Sequence, residues 1–420
     1  MTAAAAPRFA APVETPDRSR RALLTTVLVG ALGYFVDIYD LLLFSIVRTP
    51  SLRDLGVAPA QSLEVGLGLL SWQMWGLLAG GVLWGVLGDK RGRLSVLFGS
   101  ILLYSVGNLA NAAVHTVGQY ELWRFVAGVG LAGELGAAIT LVSEALPAKQ
   151  RGYGTAAVAG LGLTGAIAAA WVGRTFSWRT AYVIGGVLGL ALLVTRATML
   201  ESGLYGKARD EGVRRGSLAM LFLSRVRLAK LARSIFIGLP IWFVVGILVT
   251  GAPEFARSFG VRGAVTGGEA VQATYIGLVL GDLASGVLSQ WARSRRKVVL
   301  GFLGLTAATV VAYLTQHETS SATLYALCTA MGFGIGYWAI FVTIAAEQFG
   351  TNLRATVTTS VPNFVRGSVP LLTMAFVGLK RSGMSLVASA SIVGAACLAL
   401  ALASLWGMDE TYGRELDFLE

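Results

Sequence analysis

Twelve apolar runs, each bounded by charged or turn-forming residues, are spaced along the chain. The first six fall at 22–47, 65–87, 94–113, 120–146, 155–173 and 181–199; the second six fall at 234–253, 271–289, 298–315, 322–346, 356–378 and 384–406. A helix needs about 20 apolar residues to cross the hydrocarbon core of a bilayer. The runs have that length, so the pattern predicts an all-α membrane protein with twelve transmembrane helices. The longest polar connection, 200–233, separates the two sets. The expected organisation is a tail at 1–21, a six-helix bundle at 22–199, a linker at 200–233, a second bundle at 234–406 and a tail at 407–420.

The two halves echo each other. Glu144 precedes Arg151 by seven residues after the fourth run, and Glu347 precedes Arg354 by seven after the tenth. The segment Gly85 to Asp89 after the second run corresponds to Gly286 to Gln290 after the eighth, at an offset of 201 residues against 203 for the Glu/Arg pairs. A duplicated six-helix unit is the pattern of a secondary transporter whose substrate site lies between the repeats, near the bilayer midplane.

Composition agrees with that reading. Hydrophobic residues make up 55% of the chain, charged residues 14%, and there are 53 glycines, as expected where helices approach closely in lipid. The net charge of +11 does not indicate a nucleic-acid partner, because the cations sit in short loops between apolar runs. With the N-terminus inside, those loops place 23 Lys and Arg on the cytoplasmic side and 8 on the other, so both termini are expected in the cytoplasm. The segment before residue 22 has no signal-peptide core and reads as a retained tail. Six Lys against 28 Arg and the Ala-rich tail suggest a GC-rich bacterial gene and hence an inner membrane. Cys328 and Cys397 fall inside apolar runs, so neither a disulfide framework nor a metal cluster is expected. No phosphate-binding loop or nucleophile constellation is evident. The expectation is a monomer with no cofactor and no enzymatic activity, whose partners are the lipid bilayer, a small-molecule substrate and protons.

Several segments carry a family resemblance. Gly85-Val-Leu-Gly-Asp-Lys-Arg-Gly-Arg93 resembles the loop signature between helices two and three of the major facilitator superfamily. Arg124 to Gly136, followed by Glu144-Ala-Leu-Pro147 and Arg151, resembles that family's fourth-helix pattern, and Trp178-Arg179, Glu201-Ser202 and the tail from Glu410 fit as well. The acidic residues of the first run and the Gly-Glu of the fourth are similar to those of proton-coupled organic-acid symporters. The resemblance implies the two-bundle fold and a cytoplasmic latch built from Gly85, Asp89, Arg93, Glu144 and Arg151, with Glu347 and Arg354 as counterparts in the second half. Physically, Gly85 permits close helix approach, Asp89 suits a helix N-terminus and Arg93 suits a carboxylate. A plain topogenic basic turn is the alternative. Gln290 stands where the family has Asp, so the second-half latch need not mirror the first.

Six charges set deep within the runs carry the weight: Asp37, Asp40, Arg124, Glu134, Asp282 and Arg366. Each costs roughly 2.5–3.5 kcal/mol at a helix centre on insertion scales, which makes pairing, hydration or function close to compulsory. Four acids against two bases leave two carboxylates without a basic partner. An acid that changes protonation state during a cycle is what proton coupling requires, so Asp37, Asp40, Glu134 and Asp282 are the candidates. At spacing i and i+3, Asp37 and Asp40 share a helical face, which predicts one polar path along it. Each acid has a structural alternative: Asp37 or Asp40 pairing with Arg124, Glu134 bonding across a glycine contact, Asp282 gating or packing.

Arg366 sits between Pro362 and Pro370 in the eleventh run, and proline-broken membrane helices border cavities. Its guanidinium suits a substrate carboxylate, or else a fixed salt bridge to Asp282 or Glu134. Arg124 and the acids Asp37 and Asp40 are further substrate-binding candidates, although Arg124 also fits a structural role. Tyr34, Trp242, Tyr337 and Trp338 are candidate cavity-lining aromatics, with packing or an interfacial belt as the alternative. The functional expectation is proton-coupled uptake of a small organic anion by alternating access. The competing readings are a proton antiporter exporting cations or neutral compounds, and a non-transporting membrane ligand sensor.

Overall fold

The computed structural model describes residues 16–91, 93–133, 151–201 and 221–413. Helices account for almost all of them. In the first half these are α1 (Pro16–Asp54), α2 (Ser62–Arg91), α3 (Arg93–Asn111), α4 (Val117–Leu131), α5 (Arg151–Thr175) and α6 (Trp178–Glu201). The second half opens with α7 (Arg225–Phe243), which runs into a π-helical turn at Val244–Val249, and a short α8 (Ala252–Ser258). It continues through α9 (Gly267–Trp291) and α10 (Arg295–Thr315). Two spans are then broken: α11 (Ser321–Gly334) with α12 (Trp338–Glu347), and α13 (Thr351–Arg366) with α14 (Val369–Arg381). The last is α15 (Leu386–Trp406). Among the described residues, each expected apolar run thus carries a helix or a broken pair, the fourth only as far as residue 133 is described. Eight of the described helices or joined pairs are long and apolar enough to cross a membrane on length and composition.

The repeat expected from the loops reappears in the packing. In the first half α2 and α4 touch through Gly76 and Gly128, where a Cβ would overlap the backbone oxygens of Phe125 and Gln73 respectively. In the second half α9 and α11 touch through Gly277 and Gly332, where a Cβ would overlap the oxygens of Thr329 and Thr274. Backbone-to-backbone approach of this kind is how membrane helices gain dispersion energy without a hydrophobic driving force.

Helix α1 outruns its expected end at residue 47. It continues past Arg48 and Pro50 to Asp54, because Arg48 is not a loop charge: it is buried and bridges the halves. Its Nη2 lies 2.6 Å from Glu254 Oε2 in α8, and its Nη1 donates to the Ser62 carbonyl at 3.0 Å. Beside it the hydroxyls of Ser45 and Thr250 share a 3.0 Å hydrogen bond between α1 and the π-helical turn. Arg381 of α14 pairs with Glu64 of α2 at the same end. Toward the opposite end, Asn363 Nδ2 of α13 donates to the Ala132 carbonyl at 3.1 Å.

Candidate functional site

Two helix breaks meet at the boundary between the halves. Helix α13 ends on Arg366, and Gly367 and Ser368 separate it from α14. A helix C-terminus carries partial negative charge and favours a cation there. Gly367 is needed because a Cβ would overlap the Leu78 side chain of α2. Arg366 is 1% exposed, and its Nη2 lies 3.6 Å from Asp37 Oδ2 on α1, itself fully buried. Its Nε and Nη1 have no hydrogen-bond partner among the described residues. The guanidinium carbon sits 6.0 Å from the Trp242 ring centroid and 5.8 Å from that of Trp338, within cation–π reach. Tyr34 and Tyr275 are close enough to feel both Asp37 and Arg366. Asp282 of α9 completes the group: its Oδ1 accepts from the Ala339 N–H at 2.8 Å, at the start of α12.

Asp40 belongs to a second cluster, inside the first half. It is buried beside the Asn108 amide of α3 and under the influence of the Arg124 guanidinium of α4. Neither of its carboxylate oxygens has a partner of hydrogen-bond geometry among the described residues. Gly185 of α6 makes room for it, since a Cβ there would overlap Asp40 Oδ1. Arg124 donates to Gln73 Oε1 and, at 3.3 Å, to the Tyr182 hydroxyl, and its guanidinium lies 4.4 Å from the Phe44 ring centroid. The Tyr120 hydroxyl donates to that of Tyr182 at 2.7 Å.

The structure therefore brings Asp37, Arg366, Tyr34, Trp242, Trp338 and Asp282 together, while Asp40 and Arg124 belong to a neighbouring cluster whose Asp40 still lies within electrostatic range of Asp37. Residues three apart on a helix differ by about 60° in direction. That rotation points Asp37 across the half-boundary and Asp40 into its own bundle, so the single polar path predicted from their spacing divides into two. Of the partners considered from sequence, Asp282 is not the one beside Arg366, which meets Asp37 instead, and Glu134 lies outside the described residues. The Tyr337 hydroxyl is committed elsewhere, donating to the Ile237 carbonyl at 2.9 Å. Glu347 meets Arg295 at 3.4 Å. Helical backbone is described at Gly85, Asp89, Arg93, Arg151 and Arg354 but not their side chains, and Glu134 and Glu144 lie outside the described residues. Tyr275, Gln73, Asn108, Tyr182 and the Arg48–Glu254 pair were not singled out beforehand. Gln73 and Asn108, amides inside apolar runs, were the readable signal among them.

Duplicated helical halves closing over a buried ion pair at their interface define a membrane transporter. The profile described as Major Facilitator Superfamily matches residues 30–374, and the chain belongs to that superfamily. It is a multi-pass membrane transporter of that family, not an enzyme. The niacin transporter of Acinetobacter baylyi is 27% identical over 366 residues, covering 79% of this chain and 81% of its own. The 3-(3-hydroxy-phenyl)propionate transporter of Escherichia coli is 26% identical over 81% of this chain and 83% of its own. The 4-hydroxybenzoate transporter of Pseudomonas putida is 27% identical over 71% and 75%. Among solved structures, a D-xylose-proton symporter superposes with a TM-score of 0.71 at 16% identity, over 94% of this chain and 99% of that one, a likeness of fold.

Proposed function

We propose that this transporter couples uptake of a small aromatic carboxylate to inward proton movement. The observation that carries the reading is Arg366: a buried guanidinium with two donor nitrogens unbonded among the described residues, flanked by Trp242 and Trp338. Those nitrogens offer a fork for a carboxylate, and the indoles offer apolar faces for a ring. Relatives named for niacin, 4-hydroxybenzoate and a hydroxyphenylpropionate all handle ring-bearing acids, which agrees with that arrangement.

The same geometry supplies a coupling device. Asp37 and the incoming carboxylate compete for one guanidinium. When Asp37 takes a proton, its attraction for Arg366 falls and the substrate carboxylate occupies the fork. When that proton leaves toward the more alkaline side, ionised Asp37 reclaims Arg366 and the substrate is expelled. Asp40, buried beside Asn108, is the second acid able to hold a proton in transit. In this cycle the positive-inside bias puts the Arg48 end outward and both termini in the cytoplasm of a bacterial cell, at the inner membrane. Arg48–Glu254, Ser45–Thr250 and Arg381–Glu64 then form the outer closure. The cluster of Gly85, Asp89, Arg93, Glu144 and Arg151 is the cytoplasmic latch, and the monomer is the working unit.

The test is uptake of radiolabelled benzoate into proteoliposomes under an imposed proton gradient. Hydrogen bonds to charged groups contribute about 1.5–3 kcal/mol each, and Gln can supply only one of the fork's two, so Arg366→Gln should weaken binding by about 10- to 150-fold. Asp37→Asn should abolish gradient-driven accumulation and leave counterflow. Full accumulation without a gradient, or undiminished uptake by Arg366→Gln, refutes the reading. Export of a cation surviving Arg366→Gln would favour antiport, and absence of counterflow would favour a sensor.

A further inference from the structure

Helix α12 begins in the middle of the molecule, and its N-terminus needs an acceptor. The first N–H groups of any helix have no partner of their own and carry partial positive charge. A residue at the N-cap position ordinarily supplies the oxygen. Here that position is Tyr337, which makes no side-chain cap bond and whose hydroxyl is committed to the Ile237 carbonyl. The acceptor comes instead from another helix, as Asp282 Oδ1 takes the Ala339 N–H at 2.8 Å.

The backbone explains why Asp282 can reach. At Gly336, inside the break, a Cβ would sit 2.6 Å from the backbone of Gly281 and 2.7 Å from the nitrogen of Asp282. Contact between α9 and the break is thus made through glycine backbone, which brings the residue after Gly281 directly against the new helix start. The first residue of that helix is Trp338, whose ring lies 5.8 Å from the Arg366 guanidinium and 5.4 Å from the Phe341 ring. The Tyr34 hydroxyl lies beside the same indole.

We infer that Asp282 is a positioning residue for the anion site: capping α12 from outside, it seats the Trp338 indole over Arg366 and so sets a preference for aromatic over aliphatic carboxylates. The inference rests on the reading of Arg366 as the substrate's partner. It assigns Asp282 an acceptor oxygen as its function, in place of the titrating role open to it from sequence alone. An asparagine keeps such an oxygen and cannot titrate; an alanine keeps neither.

The experiment uses full-length protein in proteoliposomes, with benzoate and butyrate as probes. Asp282→Asn should keep the benzoate KM within about twofold and the wild-type pH profile of uptake. Asp282→Ala should raise the benzoate KM about tenfold and leave that for butyrate within about twofold. Thermal unfolding in detergent checks that the alanine variant is folded; if it is not, the asparagine variant decides alone. Loss of gradient-driven uptake by Asp282→Asn with counterflow retained would make Asp282 a proton carrier and overturn the inference. Equal changes in both KM values for Asp282→Ala, or none, would overturn it too. If wild-type protein does not take up benzoate, or Arg366→Gln still does, the anion reading itself fails and this inference falls with it.

Discussion

Replacing Glu254 by Gln probes the closure at the Arg48 end. In the structure Arg48 is 1% exposed and Glu254 12%, with 2.6 Å between them, and Arg257 adds a weaker 3.4 Å contact from the surface. Removing one partner of a buried ion pair costs about 3–5 kcal/mol, because the other charge stays buried. Arg48 keeps its bond to the Ser62 carbonyl, Gln can still accept a hydrogen bond, and Glu254 is slightly hydrated. About 2–3 kcal/mol is therefore the expected loss, and it falls only on the state closed at this end. The ratio of open to closed should rise by about 30- to 150-fold. A cysteine placed at Leu70, which lies 2% exposed between α2 and the π-helical turn, reports this opening through labelling by a membrane-impermeant maleimide on whole cells. The labelling rate should climb in Glu254→Gln and fall back when Arg48→Gln is added, because the stranded charge is then gone. An unchanged rate, or additive effects of the two substitutions, refutes the assignment of this pair as a gate.

Gly128→Ala should destabilise the protein by about 1–3 kcal/mol, since the new Cβ meets the Gln73 backbone oxygen and neither helix can yield locally; thermal unfolding in detergent measures it, and Gly118→Ala, where nothing lies within 4 Å, serves as control. Asp40→Asn should leave counterflow intact while flattening the pH dependence of gradient-driven uptake. Glu410, beyond the last span, gives a pH prediction of known sign. Burial pushes its carboxyl up, but hydrogen bonds from Ser294 and from the N–H groups of Tyr412, Arg295 and Arg296 outweigh this and hold it below the usual carboxylate range. The stabilisation is present above the unfolded-state value and is lost as pH falls through the folded value. Unfolding temperature should therefore drop on acidification in the wild type and less so in Glu410→Gln.

The spans were legible because crossing hydrocarbon is a demand on every residue of a run, and the runs record it. Ends were harder. Arg48 and Pro50 look like the close of the first span, yet the helix goes on, since the arginine's partner Glu254 comes from the other half of the chain. Individual charges stood out by their cost, which is why Asp37, Asp40, Asp282 and Arg366 could all be named. Their pairing could not, because nothing local links Arg366 to Asp37 more than to Asp282. Likewise a three-residue spacing does not reveal which neighbours fill each 60° sector, and so the division of Asp37 and Asp40 between two clusters was hidden. Tyr337 and Trp338 both read as candidate cavity-lining aromatics, but Tyr337 lies in the helix break and Trp338 opens the next helix, so the two side chains meet different neighbours.

The 3.6 Å contact between Arg366 and Asp37 has a consequence for how firmly any guest is held. A host that greets its cargo with a cation already shadowed by an anion of its own never offers the full strength of that cation. With a carboxylate as cargo, as proposed above, arrival and departure become exchanges between rival carboxylates, and the net gain on occupancy stays small. Such a molecule is poorly suited to scavenging or storage and well suited to rapid turnover.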